Sequence, residues 1–343
     1  MAAIVVFHGW APNRSLLVFV FLWQGSAVLS NDWENRMPVT RADIEAVHTR
    51  IDGHVHVTPV MKSTAFGRPL DFKFEHTQVT GSFKARGAFN SLLSADVPAA
   101  GIVAASGGNH GAAVAHAAMT LGHQAHIYVP EFAGPAKIDV IRQTGAQLHI
   151  VEGAYADAAA AASAHQAETG ALDIHPYDAP ATIAGQGTCF KEWDAQGLDA
   201  DTIIIAIGGG GLIGGALAWF ADRPNAPKII GVETTTTNAM HAALQDGPDT
   251  DVEVSGLCAN ALGARRIGRL PYDLAVANNL RTLLLSDDAV ADAQKRLWQT
   301  LRQLVEPAGA AALAAITSGA YVPAKNEKVA ILLCGANPAP IPV

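Results

Sequence analysis

Four short segments combine side chains and backbone in ways that could do chemistry. In Thr80-Gly81-Ser82-Phe83-Lys84-Ala85-Arg86-Gly87-Ala88 a lysine stands between an aromatic ring and small residues, at what reads as a helix start. Its amine is either a nucleophile and proton carrier or a solvated surface charge, and this segment alone does not separate the two. Ala104-Ala105-Ser106-Gly107-Gly108-Asn109-His110-Gly111 closes a strand and opens a helix expected from Gly111. Small residues there leave backbone N–H groups free at the positive end of the helix dipole, where a carboxylate would sit well; the alternative is a tight turn whose glycines only satisfy backbone geometry. Gly208-Gly209-Gly210-Gly211-Leu212-Ile213-Gly214-Gly215 follows one strand and precedes a helical stretch, Ala216 to Phe220. Four successive glycines let the main chain wrap a phosphate, since no Cβ blocks the approach and each residue presents a donor. Which phosphate stays open: Gly209, Gly211 and Gly214 also fit G-x-G-x-x-G, and Glu233 ends the next strand where a dinucleotide fold places its ribose-binding acid. The fourth segment, Leu333-Cys334-Gly335-Ala336-Asn337, ends an apolar strand, the place where open α/β sheets bind ligands, although Cys334 by itself reads as a buried structural thiol.

These segments need elements to hold them. From about residue 100, short β-rich runs alternate with alanine-rich helical patterns: Ile102 to Ala105, Gln124 to Val129, Gln147 to Val151, Thr202 to Ile207, Lys228 to Glu233 and Lys328 to Cys334, with helices such as Gly111 to Leu121 and Asp157 to Thr169 between them. Unalternated Ile and Val indicate strands covered on both faces, which predicts parallel sheets in an α/β architecture. Two sheets are expected, with residues 97–179 as a small domain inserted between residues 37–96 and 180–343 of a large one. Thr40 followed by Asp43 reads as a capping box opening a helix. His54 and His56 are expected to alternate on a strand, and His175-Pro176-Tyr177, after a strand, to form a turn, with lining of a ligand site as the alternative.

The chain has 343 residues, half of them apolar and 16% charged, enough for a substantial core. Its 31 acidic and 23 basic residues give a net charge of −8 without long single-sign runs, so no basic face offers itself to nucleic acid or anionic lipid. Cys189, Cys258 and Cys334 are too few and scattered for a disulfide framework, which fits a reducing, cytoplasmic setting. Leu16 to Trp23, after Arg14 and before Gly25-Ser26-Ala27, resembles a signal-peptide core but is too short to span a bilayer and lacks a short basic leader. Residues 1–36 are therefore expected to be an extension of doubtful significance, and no membrane partner is expected.

Together the four segments resemble the fold-type II pyridoxal-phosphate enzymes, the tryptophan synthase β-like fold, and within them the threonine and serine dehydratase and serine racemase branch. The resemblance covers nearly all of residues 37–343 and runs in family order: Ser82-Phe83-Lys84, Ser106 to Gly111, the tetraglycine turn, Gly231-Val232-Glu233, Glu306-Pro307, and Cys334 to Asn337. It implies two open, twisted, mainly parallel sheets flanked by helices, and pyridoxal 5'-phosphate bound to Lys84 as a Schiff base. It further implies that Phe83 packs against the cofactor ring, Asn109 hydrogen-bonds the ring hydroxyl, and Gly208, Gly209, Gly210, Gly211 and Leu212 hold the phosphate. Ser106, Gly107, Gly108, Asn109 and His110 would grip the substrate carboxylate. The implied activity is a threonine/serine ammonia-lyase, eliminating water from a β-hydroxy amino acid to leave a 2-oxo acid and ammonia, in a homodimer.

Three departures sharpen that expectation. Family members usually set serine or threonine against the pyridine nitrogen, where this chain has Cys334; a thiol is a weak neutral donor and favours prompt elimination over transamination. Racemases carry a second-face serine where Gly107 stands, and glycine transfers no proton, so dehydration is expected over racemisation. Relatives that bind a divalent cation use the glutamate equivalent to Glu233 with a carboxylate six residues on; here that position is Ala239, so no essential metal is expected. The chain also ends soon after Cys334, so no regulatory domain and no feedback inhibition by isoleucine are expected. The competing functions are serine racemisation, dehydration of 3-hydroxyaspartate with Arg86, Arg265 or Arg266 on the second carboxylate, a nicotinamide-dependent oxidoreductase, and a non-catalytic amino-acid sensor.

Overall fold

The computed structural model describes residues 39–131, 135–153 and 155–337; the expected extension over residues 1–36 lies outside them. In chain order the elements are α1 (Arg41–Arg50), β1 (Val60–Ser63), β2 (Leu70–Lys73), α2 (Lys84–Leu93), β3 (Ile102–Ala105), α3 (Asn109–Leu121), β4 (Ala125–Pro130), α4 (Pro135–Arg142), β5 (Gln147–Val151), α5 (Tyr155–Thr169) and β6 (Leu172–Asp173). They continue through α6 (Pro180–Ala195), β7 (Thr202–Ala206), α7 (Gly211–Phe220), β8 (Lys228–Thr234), α8 (Ala239–Asp246), α9 (Ala259–Leu262), α10 (Arg269–Ala277), β9 (Arg281–Leu285), α11 (Asp287–Leu301), α12 (Pro307–Thr317) and β10 (Val329–Leu332).

Two sheets result. One has six strands in the order β1-β2-β10-β7-β8-β9, parallel except for the antiparallel β1–β2 edge; the other has four parallel strands, β5-β4-β3-β6, all drawn from residues 102–173. The central strands of the larger sheet are buried throughout, as unbroken apolar runs require: Ile203, Ile204 and Ile205 of β7 and Val329 to Leu332 of β10 are covered on both faces. The expected capping box is formed, with Thr40 Oγ1 accepting from Asp43 N at 3.3 Å and Asp43 Oδ2 accepting from Thr40 N at 2.8 Å.

Three local expectations are corrected. Helix α3 starts at Asn109, two residues before Gly111, so Asn109 and His110 belong to its first turn. Helix α7 starts inside the tetraglycine run, at Gly211, behind Gly210 in the left-handed conformation at φ 94°. His54 and His56 lie on the connection after α1, not on a strand: His54 stacks on Phe89 at 5.1 Å, and the His56 N–H donates to Gln78 Oε1 at 2.7 Å, so a side chain takes the donor a sheet would have used.

Helix α6 is the spine that sets the spacing of the site. A Cβ on Gly185 would lie 2.5 Å from the Gly87 Cα of α2, and one on Gly215 of α7 would lie 2.5 Å from the Gly187 N of α6. The lysine-bearing helix and the helix behind the tetraglycine turn therefore both touch α6 backbone to backbone, a distance that one methyl group would widen.

A histidine cluster lies between α5 and the outer strands of the smaller sheet. His126 Nδ1 and His149 Nε2 are 3.1 Å apart, and the His165 ring centroid is 4.3 Å from that of His126. Burial, then the neighbouring histidines, lower the pKa of His126 and His149. An unfolded chain without that penalty binds protons first as pH falls below the usual histidine value, so the cluster's contribution to stability is present at neutral pH and lost on acidification. The groups are half-exposed, which keeps the effect small. Between pH 7.5 and 5.5 we expect the thermal midpoint of the double variant His126→Gln/His149→Gln to fall by about 1–2 °C less than that of wild type. Equal slopes in the two proteins would show that the cluster does not titrate this way.

Candidate active site

Lys84 is placed by the strand end that the fourth segment supplies. Thr80 and Gly81, at φ 63° and 73°, turn the chain so that Ser82 forms an antiparallel bridge with Gly335. Phe83 N donates to Cys334 O at 3.2 Å and Ala336 N to Gly81 O at 2.8 Å. Lys84 follows as the first residue of α2, half-buried, with its Nζ donating to Pro176 O at 2.7 Å and lying 5.1 Å from the Phe83 ring centroid. Burial lowers the amine's pKa to about 8, against the opposing pull of Cys334 and Glu306. An amine with that value is partly neutral near physiological pH, and the neutral form is the nucleophile and proton acceptor.

The tetraglycine turn meets Lys84 through one peptide unit. Pro176 O takes the amine's hydrogen bond, and the adjacent Tyr177 packs on the turn so closely that a Cβ on Gly209 would lie 2.1 Å from its ring. Tyr177 is held by a His175 Nδ1 that accepts from Tyr177 N and Asp178 N at 3.3 and 2.8 Å. Asp178 in turn accepts from Arg269 N and Leu270 N at the start of α10, whose Pro271 walls Gly210. The stretch, for which a turn was the preferred expectation and a place beside the cofactor the alternative, packs against both Lys84 and the glycine run. The N–H groups of Gly208, Gly209, Gly210, Gly211, Leu212 and Ile213 meet no acceptor among the described residues, and Gly214 N is the first to bond within the helix, to Gly210 O at 2.8 Å. Six donors at a helix N-terminus, four of them on glycines without a Cβ, fit a phosphate group. Gly210→Ala would put a Cβ 2.5 Å from Pro271 at a left-handed φ; we expect cofactor affinity to drop by about 10- to 100-fold, read by equilibrium dialysis, and an unchanged affinity would remove the turn from the binding site.

The turn after β3 is built similarly. Ser106 Oγ accepts from Gly108 N at 3.2 Å, Ser106 O comes so near α3 that a Cβ on Gly111 would lie 2.1 Å from it, and the N–H groups of Gly107, Asn109, His110 and Gly111 meet no acceptor among the described residues. The His110 ring is engaged elsewhere: Nε2 donates to Ile174 O at 2.6 Å, and burial, then Lys84, pushes its pKa down to about 3, so the ring is neutral and offers no charge to the turn. Asn109 is tied to Glu306 and Asn337, side chains whose roles the sequence did not signal beyond the helix-start pair Glu306-Pro307. Cys334 is buried with Sγ donating to Ala308 O at 3.4 Å, and burial, then Glu306, holds the thiol well above its usual value, hence neutral.

Most of the residues that two competing assignments would use are engaged elsewhere. Glu233 is fully buried, and its two oxygens accept from Met240 N and His241 N at 2.8 Å each, so the carboxylate is turned onto the start of α8 and out of solvent. Arg86 is fully buried in ion pairs with Glu75 and Glu192, and Arg266 pairs with Asp251 at 2.8 Å; Arg265 stands exposed. Among the described residues no three His, Cys, Asp or Glu side chains gather as a metal site, and no helix is long and apolar enough to cross a membrane.

Comparison with known proteins agrees with this geometry. Residues 51–335 match the family described as pyridoxal-phosphate dependent enzyme. A phenylserine dehydratase of Ralstonia pickettii is 35% identical over 304 residues, covering 86% of this chain and 92% of that protein. An L-threonine ammonia-lyase of Thermotoga maritima is 34% identical over 305 residues, 87% of this chain and 76% of the other. The solved structure of maize serine racemase superposes with a TM-score of 0.81 at 33% identity, covering 88% of this chain and 95% of that one. By the family match over residues 51–335 and by these relatives, the chain belongs to the pyridoxal-phosphate dependent enzyme family, in its fold-type II form.

Proposed function

We propose that this protein is an ammonia-lyase acting on β-hydroxy amino acids of the threonine and serine type. The observation that carries this reading is one-sidedness: Lys84 offers a single partly neutral amine, while the turn expected to lie across from it presents Gly107 and Gly108, which have no side chain to move a proton. In this assignment Lys84 holds pyridoxal 5'-phosphate covalently, the N–H groups from Gly208 to Leu212 take its phosphate, and Phe83, Asn109 and Cys334 surround its ring. The cofactor, when bound, supplies the electron sink that makes the Cα proton acidic. The free N–H groups of Gly107, Asn109 and His110, with Ser106 shaping their turn, orient the substrate carboxylate at the positive end of α3. Once the substrate's amine has taken its place on the cofactor, the freed Lys84 amine would remove the Cα proton, Lys84 or the cofactor phosphate would protonate the departing β-hydroxyl, and the enamine acid released would hydrolyse to a 2-oxo acid and ammonia.

Racemisation needs a second proton donor on the opposite face, which Gly107 does not supply, and dehydration of 3-hydroxyaspartate needs a cation for its second carboxylate, for which the ion pairs of Arg86 and Arg266 leave the exposed Arg265 of the three arginines considered. The four-stranded and six-stranded sheets correspond in this reading to a small and a large domain, as in the resemblance. A cytoplasmic homodimer is part of the same proposal, supported by three buried, unpaired cysteines for the compartment and by the family for the assembly. The test is product analysis with L-threonine, L-serine, 3-phenylserine and 3-hydroxyaspartate. Oxo acid and ammonia in equal amounts from the first two support the proposal; D-serine forming faster than ammonia, or turnover of 3-hydroxyaspartate alone, overturns it.

A further inference from the structure

The side chain of Asn109 is gripped at both ends. Its Oδ1 accepts from Asn337 Nδ2 at 2.8 Å, and its Nδ2 donates to Glu306 Oε1 at 2.5 Å. Asn337 Nδ2 also donates to Thr80 O at 2.9 Å, and its Oδ1 lies where a Cβ on Gly81 would come within 2.7 Å. Asn337 is therefore seated on the left-handed turn, Thr80–Gly81, that delivers Lys84. Glu306 N donates to Gly335 O at 3.1 Å, and Gly335 bridges to Ser82. Four parts of the chain meet in this clamp: the turn before Lys84, the first residue of α3, the residue that opens α12 and the segment after β10 that carries Gly335 and Asn337.

The clamp has a polarity. An amide has one accepting and one donating end, whereas a carboxylate only accepts. Glu306 must face the Asn109 nitrogen, and the Asn337 nitrogen must face the Asn109 oxygen, so the amide cannot turn over without placing oxygen against oxygen at one contact and nitrogen against nitrogen at the other. One N–H of Asn109 remains unused, and its direction relative to Lys84 is set by Asn337. We propose that Asn337 is a positioning residue that fixes the direction of the Asn109 N–H toward the oxygen beside the cofactor's reactive carbon. The proposal rests on the assignment of the cofactor to Lys84.

A purely structural pin would make the same contacts, and the test separates the two. In Asn337→Asp the side chain keeps its shape but loses both donated bonds and confronts Asn109 Oδ1 and Thr80 O with an acceptor. The measurements are the visible absorbance of the bound cofactor across pH, hydride trapping at Lys84, and steady-state rates with L-threonine. We expect trapping to persist, the absorbance band and its pH midpoint to move, and kcat to fall about tenfold with KM within about twofold, the pattern of a lost orientation rather than lost binding. Asn337→Ser, which cannot reach both acceptors, serves the same purpose should the aspartate variant fold poorly. A variant with the wild-type spectrum, pH midpoint and kcat but a lower thermal midpoint overturns the proposal. Absence of trapping at Lys84 in the wild-type protein instead removes the cofactor assignment, and the proposal with it.

Discussion

Lys84→Ala is expected to lower turnover of a β-hydroxy amino acid by at least about 10³-fold, the range set by losing a positioned proton carrier. The loss is large because Lys84 is asked to do two things with one nitrogen, holding the cofactor and moving the Cα proton, and its Nζ is the amine seated on Pro176 O beside the turn. Arginine at this position should not rescue it, since a guanidinium stays charged and donates without accepting. The pH dependence carries the same assignment. With a pKa near 8, the amine of the cofactor-free protein is mostly an ammonium below that pH and has no lone pair to offer, so capture of added pyridoxal phosphate should speed up as pH rises through about 8 and level off above it. Capture that follows the usual lysine value of 10.5 would mean that the amine is solvated rather than buried beside Phe83.

The second large effect lies two residues away and concerns stability. Arg86 is fully buried, donating to Glu75 at 2.6 and 3.0 Å, to Glu192 at 2.9 Å and to Thr188 Oγ1 at 3.3 Å. Glu192 also takes Lys73 Nζ at 2.5 Å, and Lys73 is itself fully buried, donating to Thr58 O and Gln196 Oε1. Burial pushes the Glu192 carboxyl up, but Arg86 and Lys73 outweigh it and hold the group below its usual value. Arg86→Met keeps the volume and removes the charge, leaving Glu75 and Glu192 buried with one cation, Lys73, between them. We expect a loss of about 3–5 kcal/mol, measured from the denaturant midpoint. Adding Glu75→Gln should recover part of it, because the remaining Lys73–Glu192 pair is balanced. A loss under about 1 kcal/mol for the single variant would show that the network is hydrated or protonated instead of ionic.

These two residues show what the sequence could and could not disclose. The Lys84 segment, the tetraglycine turn and the strand end at Cys334 are legible because their chemistry is local: backbone donors, missing Cβ atoms and a helix or strand terminus lie within a few residues of one another. Arg86 was open as a carboxylate ligand because its real partners are far away, 106 positions on in the case of Glu192, and surface exposure is the ordinary expectation for an arginine. Asn337 and Glu306 were passed over as functional groups for the same reason, since each gains a role only when Asn109 is brought to it from more than a hundred residues away.

The fold divides along the same line. Central strands were visible as unbroken Ile and Val runs, whereas β1 went unread because a four-residue edge strand, Val60–Ser63, half exposed and ending in Lys and Ser, carries almost no pattern, and the buried β2 went unread because Leu70-Asp71-Phe72-Lys73 places two charged residues in so short a run. The starts of α3 and α7 were placed too late because glycine and asparagine argue against helix locally, and the pressure that overrides them is tertiary: Gly111 and Gly211 must be bare to let Ser106 and Tyr177 approach.

The central claim is a covalent one, and it can be read directly. Purified protein loaded with pyridoxal phosphate, reduced with borohydride and digested should yield a single pyridoxyl-modified peptide, the one containing Phe83 and Lys84, with the intact mass shifted by one cofactor per chain. Label on a different lysine, or an intact mass that reduction leaves unchanged, would contradict the account at its root.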